Sequence, residues 1–378
     1  MIYMDNAATT YPKPISVQNA VNYALKNYAA NPGRSGHNMS MAAAEEVYRC
    51  RTAAADFFHA PGPECVAFTL NCTHAVNYVL KGLLKPGDHV VTSCLEHNAV
   101  MRPLQALAEK GVTFTAAKVT PGDNDATVNS FRDALNANTK LIVCTHASNV
   151  WGIRLPVERI AALGHQYGIP IAIDCAQTAG VLPIDIAENG FDYLCIAGHK
   201  GLYGPMGIGM LITPKGSDLS TIIEGGTGTN SVSVTQPLTM PDRMESGTPN
   251  MIGIAGLRAG IEFVKNRTPE IISKHEMQLI RYLYQRLSEI NGVQLYTSEP
   301  SESFFAPVLS FNIADVPSEI VAQKLNSRGI AVRAGLHCAP AAHEFMGTIK
   351  QGAVRVCPSV FSNMNEIRTF GLSLMKII

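Results

Sequence analysis

Along the first half of the chain, short runs rich in apolar and β-branched residues alternate with stretches whose apolar positions recur at helical spacing. Residues 65–69, 89–93, 141–145, 169–174 and 193–196 are runs of the first kind, bounded by turn residues, and they predict buried strands. Between them, Val128, Phe131 and Leu135 share one helical face, and the stretch 156–165 opens with proline at a first-turn position. Strand, helix, strand in this order predicts an α/β unit with a mainly parallel sheet covered on both faces. Such sheets bind ligands beyond the carboxyl ends of their strands. Residues 69–74, 93–98, 146–149, 174–177 and 197–200 would therefore gather along one rim.

The texture changes near residue 220. Residues 223–233 are rich in glycine, serine and threonine and read as a long loop with little packing of its own. Beyond it Ile254, Leu257, Ile261 and Val264 form a helical stripe, and Thr268-Pro269 opens a long helix that stops near Gly292. A strand near 308–312 and a helix near 318–325 complete a smaller C-terminal α+β unit. The expected division is a large domain over 14–248 and a small domain made of 1–13 with 249–378. No internal repeat or low-complexity tract interrupts this plan.

Composition narrows the function classes. A chain of 378 residues, 46% hydrophobic, 16% charged and with zero formal charge, offers no electrostatic ground for nucleic acid or an acidic membrane surface as partner. No apolar run reaches the roughly 18 residues that span a bilayer, and the N-terminus lacks the order of a secretory signal, so a cytoplasmic location is expected. Nine cysteines are scattered without a CxxC pair, which argues against a disulfide framework or a ribbon-type zinc site. Most of them read as small buried hydrophobes.

The chemistry concentrates in two segments, Ile173-Asp174-Cys175-Ala176-Gln177 and Ala197-Gly198-His199-Lys200. A strand-end carboxylate with a lysine among small residues can hold a pyridine ring: the amine forms an imine with the ring's aldehyde, and the carboxylate keeps the ring nitrogen protonated. Pyridoxal 5′-phosphate is the cofactor this pair suggests. Taken singly, Asp174 reads as a helix cap and Lys200 as a solvated surface lysine.

Further segments follow in order: MDNAATTYPKP at 4–14, NPGRSGH at 31–37, EHNAV at 96–100, HASNVWG at 146–152, IDCAQTAG at 173–180, GHKGLYGPMGIGML at 198–211, GGTGTNS at 225–231, ESGTPN at 245–250 and RAGLHCAP at 333–340. Together, over nearly the whole chain, they resemble the class V aminotransferase group of fold-type I pyridoxal phosphate enzymes, and within it the cysteine desulfurases and selenocysteine lyases. The RAGLHCAP form is similar to the subgroup whose cysteine sits on a short ordered loop.

The resemblance implies Lys200 as Schiff-base lysine and general base, Asp174 at the pyridinium nitrogen, and His97 stacked on the ring and assisting proton transfer. It implies Gln177 and Asn149 near the ring hydroxyl, with Asn149 also reaching the substrate carboxylate. Thr73, the backbone of Cys72, and His199 would contact the phosphate; a helix starting there offers the amides. Arg355 would grip the substrate carboxylate through two parallel hydrogen bonds, and Arg333 would position the cysteine loop or substrate. Thr227 resembles a residue that reaches the phosphate of the neighbouring subunit, which implies a homodimer.

Cys338 decides the reaction type. In the resembling enzymes a thiolate here takes the substrate sulfur as a persulfide and alanine leaves, with a sulfur-acceptor protein downstream. His337 is a candidate for lowering the thiol pKa, while His337, His343 and Cys338 as a metal set are weakly supported by their spacing. The chain departs from the family pattern at Ala197, where a hydroxyl residue is usual and whose loss predicts weaker cofactor binding, at Cys72 and His74, and at Cys357. The expected activity is cysteine desulfuration. Selenocysteine lyase, cysteine sulfinate desulfinase and transaminase activities are rivals within the enzyme class, and a carrier or scaffold with weakened chemistry is the rival outside it, resting on Ala197 alone.

Overall fold

The computed structural model describes residues 1–33, 35–229 and 231–377. Arg34 of the NPGRSGH segment and Asn230 of the glycine-rich loop lie outside the described residues. The large unit is a seven-stranded sheet in the spatial order Val66–Thr69, Gly209–Ile212, Tyr193–Ala197, Ile171–Asp174, Thr139–Thr145, His89–Ser93, Thr113–Ala117. The last five run parallel, whereas Gly209–Ile212 is antiparallel to both neighbours.

Strand alternation explains why the inner strands are apolar throughout. Ile142, Cys144, Ile173, Leu194 and Ile196 point into one core, while Leu141, Val143, Ala172, Tyr193 and Cys195 point into the other. The second core is roofed by helices Cys72–Leu83 and Asn98–Ala108, through residues such as Val76, Leu80 and Leu104. The first is roofed by helices Asn38–Phe58, Asn124–Ala134, Val157–Gln166 and Met251–Arg267.

The strands anticipated from apolar runs are present, with ends shifted by a residue or two. Thr113–Ala117 was not anticipated because it is the sheet edge, where three of its five residues are exposed. Pro156 stands just before helix Val157–Gln166 as its cap instead of at its first position. The stripe Ile254, Leu257, Ile261, expected with the smaller unit, packs into the core of the large sheet.

The smaller unit is a four-stranded antiparallel sheet in the order Arg333–Gly335, Ala353–Val356, Leu309–Ile313, Val293–Leu295. Helices Pro269–Ser288, Ser318–Asn326 and Met364–Met375 close its core around Phe311, Phe370 and Val356. The N-terminal strand Ile2–Tyr3 joins this unit by pairing with Ile330–Ala331, and Asp5 bridges to Cys357. Among the described residues no helix is long and apolar enough to cross a membrane.

Candidate active site

The parallel strands end on one edge, and beyond it lies a cavity of about 300 Å³, within the size range of small-molecule sites. The strand ends contribute Thr145, Asp174 and Ala197, the turns after them Asn149, Gln177, His199 and Lys200, and the small unit Arg333, His337 and Arg355. Two turns are locked together by glycines. Gly180 has φ +84, and a Cβ there would lie 2.4 Å from the Gly201 carbonyl oxygen; a Cβ on Gly201 would lie 2.4 Å from that of Ala179. Only glycine lets the turn after Asp174 approach the turn after Lys200 so closely.

Asp174 is buried. Its Oδ1 accepts the Ala176 amide at 2.9 Å and the Cys72 thiol at 3.3 Å. Both donors fall on one oxygen, so the other makes no hydrogen bond among the described residues and is left for whatever fills the cavity. Cys72 is held a second way, at 3.3 Å from the Cys195 carbonyl. Burial is the main cause that lowers the pKa of Lys200, with Asp174 opposing it. A lysine so placed is disposed to be a neutral nucleophile.

His97 caps helix Asn98–Ala108: its Nδ1 accepts the Ala99 amide at 2.9 Å. That bond fixes Nδ1 as the unprotonated nitrogen and leaves Nε2 to carry the proton of the neutral ring. Burial lowers the pKa of His97 to about 4, against the pull of Asp174. The capping role and a ring facing the cavity thus coexist. Beneath it is Glu96, fully buried, whose Oε1 accepts the Ser93 hydroxyl at 2.5 Å and the Thr145 amide at 2.9 Å. Burial raises its pKa to about 8. Glu96 ties the end of strand His89–Ser93 to that of Thr139–Thr145, and so places His97.

Helix Cys72–Leu83 starts at the cavity with Asn71 as its cap, accepting the His74 amide at 3.0 Å. Its free amides and Thr73 therefore face the same space as His199, whose Nδ1 is buried without a partner among the described residues. Lys13 stands behind, donating to Thr10 Oγ1 at 2.7 Å and to the His199 carbonyl at 2.8 Å. Burial lowers the Lys13 pKa to about 8. This corner is built for an anion.

On the opposite wall Arg355, 1% exposed, donates from Nη2 to Asp5 Oδ1 at 2.8 Å and from Nη1 to the Asn149 carbonyl at 2.9 Å. Among the described residues its Nε is buried without a partner, as is Asn149 Oδ1, while Asn149 Nδ2 donates to the His337 carbonyl at 2.9 Å. Cys338 is exposed on the loop beside this wall, its sulfur 3.8 Å from Arg333 Nη2.

A family profile described as Aminotransferase class-V matches residues 2–370. The chain belongs to the class V aminotransferase family. It has the fold-type I architecture of pyridoxal phosphate transferases. The chain is 34% identical over its whole length to a probable cysteine desulfurase of Mycolicibacterium paratuberculosis, of which it spans 55%. It is 32% identical to a probable cysteine desulfurase of Methanothermobacter thermautotrophicus, of which it spans 94%. The apo structure of a cysteine desulfurase from Thermococcus onnurineus superimposes with a TM-score of 0.93 at 30% identity, covering 100% of this chain and 94% of that one.

In this class V chain, Thr227 is not brought to the cavity. It lines a separate concavity of the 220–238 loop, where its hydroxyl meets that of Thr229 at 3.1 Å. His337 does not serve the thiol as a cation, because burial lowers its pKa to about 2 and leaves it neutral. The charge beside Cys338 is that of Arg333. Among the described residues no group of three or more His, Cys, Asp or Glu side chains is placed to hold a metal ion. Asp5 and Glu96 were not singled out in the sequence although they stand in the 4–14 and 96–100 segments; their importance lies in contacts with Arg355 and Thr145, which no local pattern announces.

Proposed function

We propose that this protein is a pyridoxal 5′-phosphate-dependent cysteine desulfurase, converting L-cysteine to L-alanine and leaving the sulfur on Cys338 as a persulfide. The observation that carries this reading is the single cavity shared by Lys200 and Asp174, with the exposed Cys338 at its edge beside Arg333. The residues fit the cofactor. Lys200 would hold the aldehyde, the unbonded oxygen of Asp174 the ring nitrogen, and His97 the ring face. Gln177 and Asn149 would take the ring hydroxyl. Thr73, the Cys72 amide and His199, whose orphaned Nδ1 needs a partner, would take the phosphate. When bound, the cofactor withdraws electrons from the substrate's α-carbon.

The chain's own groups do the rest. Arg355 and Asn149 grip the substrate carboxylate, and Arg355 brings two directed N–H groups rather than a point charge. Lys200, whose pKa burial lowers, takes and returns the proton at the α-carbon. The Cys338 thiolate attacks the substrate sulfur, so that an S–S bond forms as the carbon–sulfur bond breaks, and the electron pair stays with carbon and is protonated to give alanine. One cysteine and one enzyme thiol thus become one alanine and one enzyme persulfide. Cys338 is the one free cysteine exposed among those described, which suits delivery of sulfur to an acceptor protein.

The test is to incubate the protein with its cofactor and L-cysteine, to quantify alanine, and to map the persulfide by mass spectrometry. Cys338→Ala should keep the bound cofactor and lose persulfide and nearly all alanine. Undiminished desulfuration with the persulfide on another residue, such as Cys357, would refute the assignment. Cys357 is a poor substitute because burial raises its thiol pKa.

A further inference from the structure

Beneath the Cys338 loop runs a chain of buried polar groups that the proposed chemistry does not use. Thr348 Oγ1 lies 2.7 Å from His343 Nδ1, His343 Nε2 lies 3.4 Å from His337 Nδ1, and His337 Nε2 lies 3.4 Å from the Arg333 carbonyl oxygen. All three side chains are shut off from solvent, at 4%, 0% and 3% exposure. The two imidazole planes are 10° from parallel with centroids 5.7 Å apart, the spacing of rings that meet edge to edge through their nitrogens.

The direction of the chain follows from its end. A carbonyl only accepts, so His337 Nε2 carries the proton. Burial keeps both histidines neutral, with pKa values lowered to about 2 for His337 and about 4 for His343. His337 Nδ1 therefore accepts, His343 Nε2 donates to it, and His343 Nδ1 accepts the Thr348 hydroxyl. The alternative in which Thr348 donates to the His343 carbonyl at 3.4 Å sets two acceptors against each other between the rings. Only one arrangement satisfies every atom.

The backbone above needs such support. His337 and Cys338 both adopt left-handed conformations, with φ of 51° and 56°, which non-glycine residues hold only where their surroundings over-determine them. The Cys338 carbonyl accepts the Asn98 amide at 2.7 Å, and the His337 carbonyl accepts Asn149 Nδ2. Trp151 Nε1 donates to the Ala342 carbonyl at 2.9 Å and sets its ring edge-on to His343.

We infer that the chain Thr348–His343–His337 is a positioning device that holds the Cys338 loop in the one conformation that presents the sulfur beside Arg333. Thr348 and His343 act through His337 and touch no reacting atom. The inference rests on the reading of Cys338 as sulfur acceptor, and its test separates the two. In single-turnover experiments with the cofactor-loaded protein and L-cysteine, Thr348→Val and His343→Ala should slow persulfide formation by roughly 10- to 100-fold, as expected when a nucleophile is misplaced by an ångström or less. The spectral titration that reports cysteine binding should be unchanged. Thr348→Ser restores the hydroxyl, and His343→Gln offers an acceptor and a donor from one amide. Both should recover most of the rate, which a purely volumetric role would not predict. The rate at which iodoacetamide alkylates Cys338 without substrate, followed by mass spectrometry, should change in His343→Ala and revert in His343→Gln. Wild-type persulfide rates in Thr348→Val and His343→Ala would overturn the inference. If Cys338→Ala proves fully active, the sulfur-acceptor reading falls, and the alkylation rate then decides the positioning alone: no change in His343→Ala overturns it.

Discussion

Arg355 and Asp5, 350 positions apart in the chain, form a 2.8 Å ion pair at the wall of the cavity. The guanidinium is almost wholly buried, whereas Asp5 keeps 21% of its side chain exposed. Asp5 thus neutralises the buried cation and orients the face it turns to the cavity.

Asp5→Ala leaves that cation with the Asn149 carbonyl as its one hydrogen-bond partner among the described residues. Loss of one partner of a buried pair costs about 3 kcal/mol, at the low end of the usual range because Asp5 is partly solvated. We expect a lower Tm and a KM for cysteine raised about tenfold, with a smaller change in kcat. Asp5→Asn, which retains an acceptor oxygen, should fall between. Unchanged Tm and KM in Asp5→Ala would show that the pair does not serve the anchor.

The cofactor reading predicts colour. Lys200→Ala should remove or shift the visible absorbance of the purified protein. Asp174→Asn should still bind cofactor but lose about 100-fold or more in turnover, because a neutral amide does not hold a positive ring nitrogen in a buried site. Wild-type turnover in Asp174→Asn would contradict the assigned role.

Two buried carboxyls set a pH dependence of stability. Burial raises Glu96 and Glu276 from 4.5 to about 8. Through that window the folded state holds protons that the unfolded chain has released, so each group's stabilising contribution is complete below the unfolded pKa and is lost as pH rises through the folded one. Tm should therefore fall between about pH 5 and pH 8, and Glu96→Gln with Glu276→Gln should flatten the slope. Thermal denaturation across this range decides it; an equally steep slope in the double variant would mean other groups are responsible.

Among the described residues the Thr227 hydroxyl hydrogen-bonds only within its own loop, yet its segment resembles one that reaches a neighbour's phosphate in the resembling enzymes. A two-fold homodimer with shared sites is the expected assembly. Thr227→Ala should weaken cofactor retention without dissociating the dimer. Sedimentation that finds a fully active monomer would rule out sharing.

Sequence alone determined the alternating large unit and the rim that carries Asp174 and Lys200, because periodicity and turn residues are local signals and parallel strands must end on one edge. It also offered Cys338, through the segment at 333–340, and Arg355, through the family resemblance alone, as candidates. It did not reveal the edge strand Thr113–Ala117, whose polar exposed residues carry no apolar pattern. It misjudged His337 as a source of charge, since burial by distant elements decides protonation. The pairing of Asp5 with Arg355, the Cys72 thiol on Asp174, the Glu96 tie between strand ends and the histidine chain under Cys338 belong to the tertiary structure. Each joins groups that are remote in sequence or lie on different elements, and hydrogen bonding and desolvation act on distances in space.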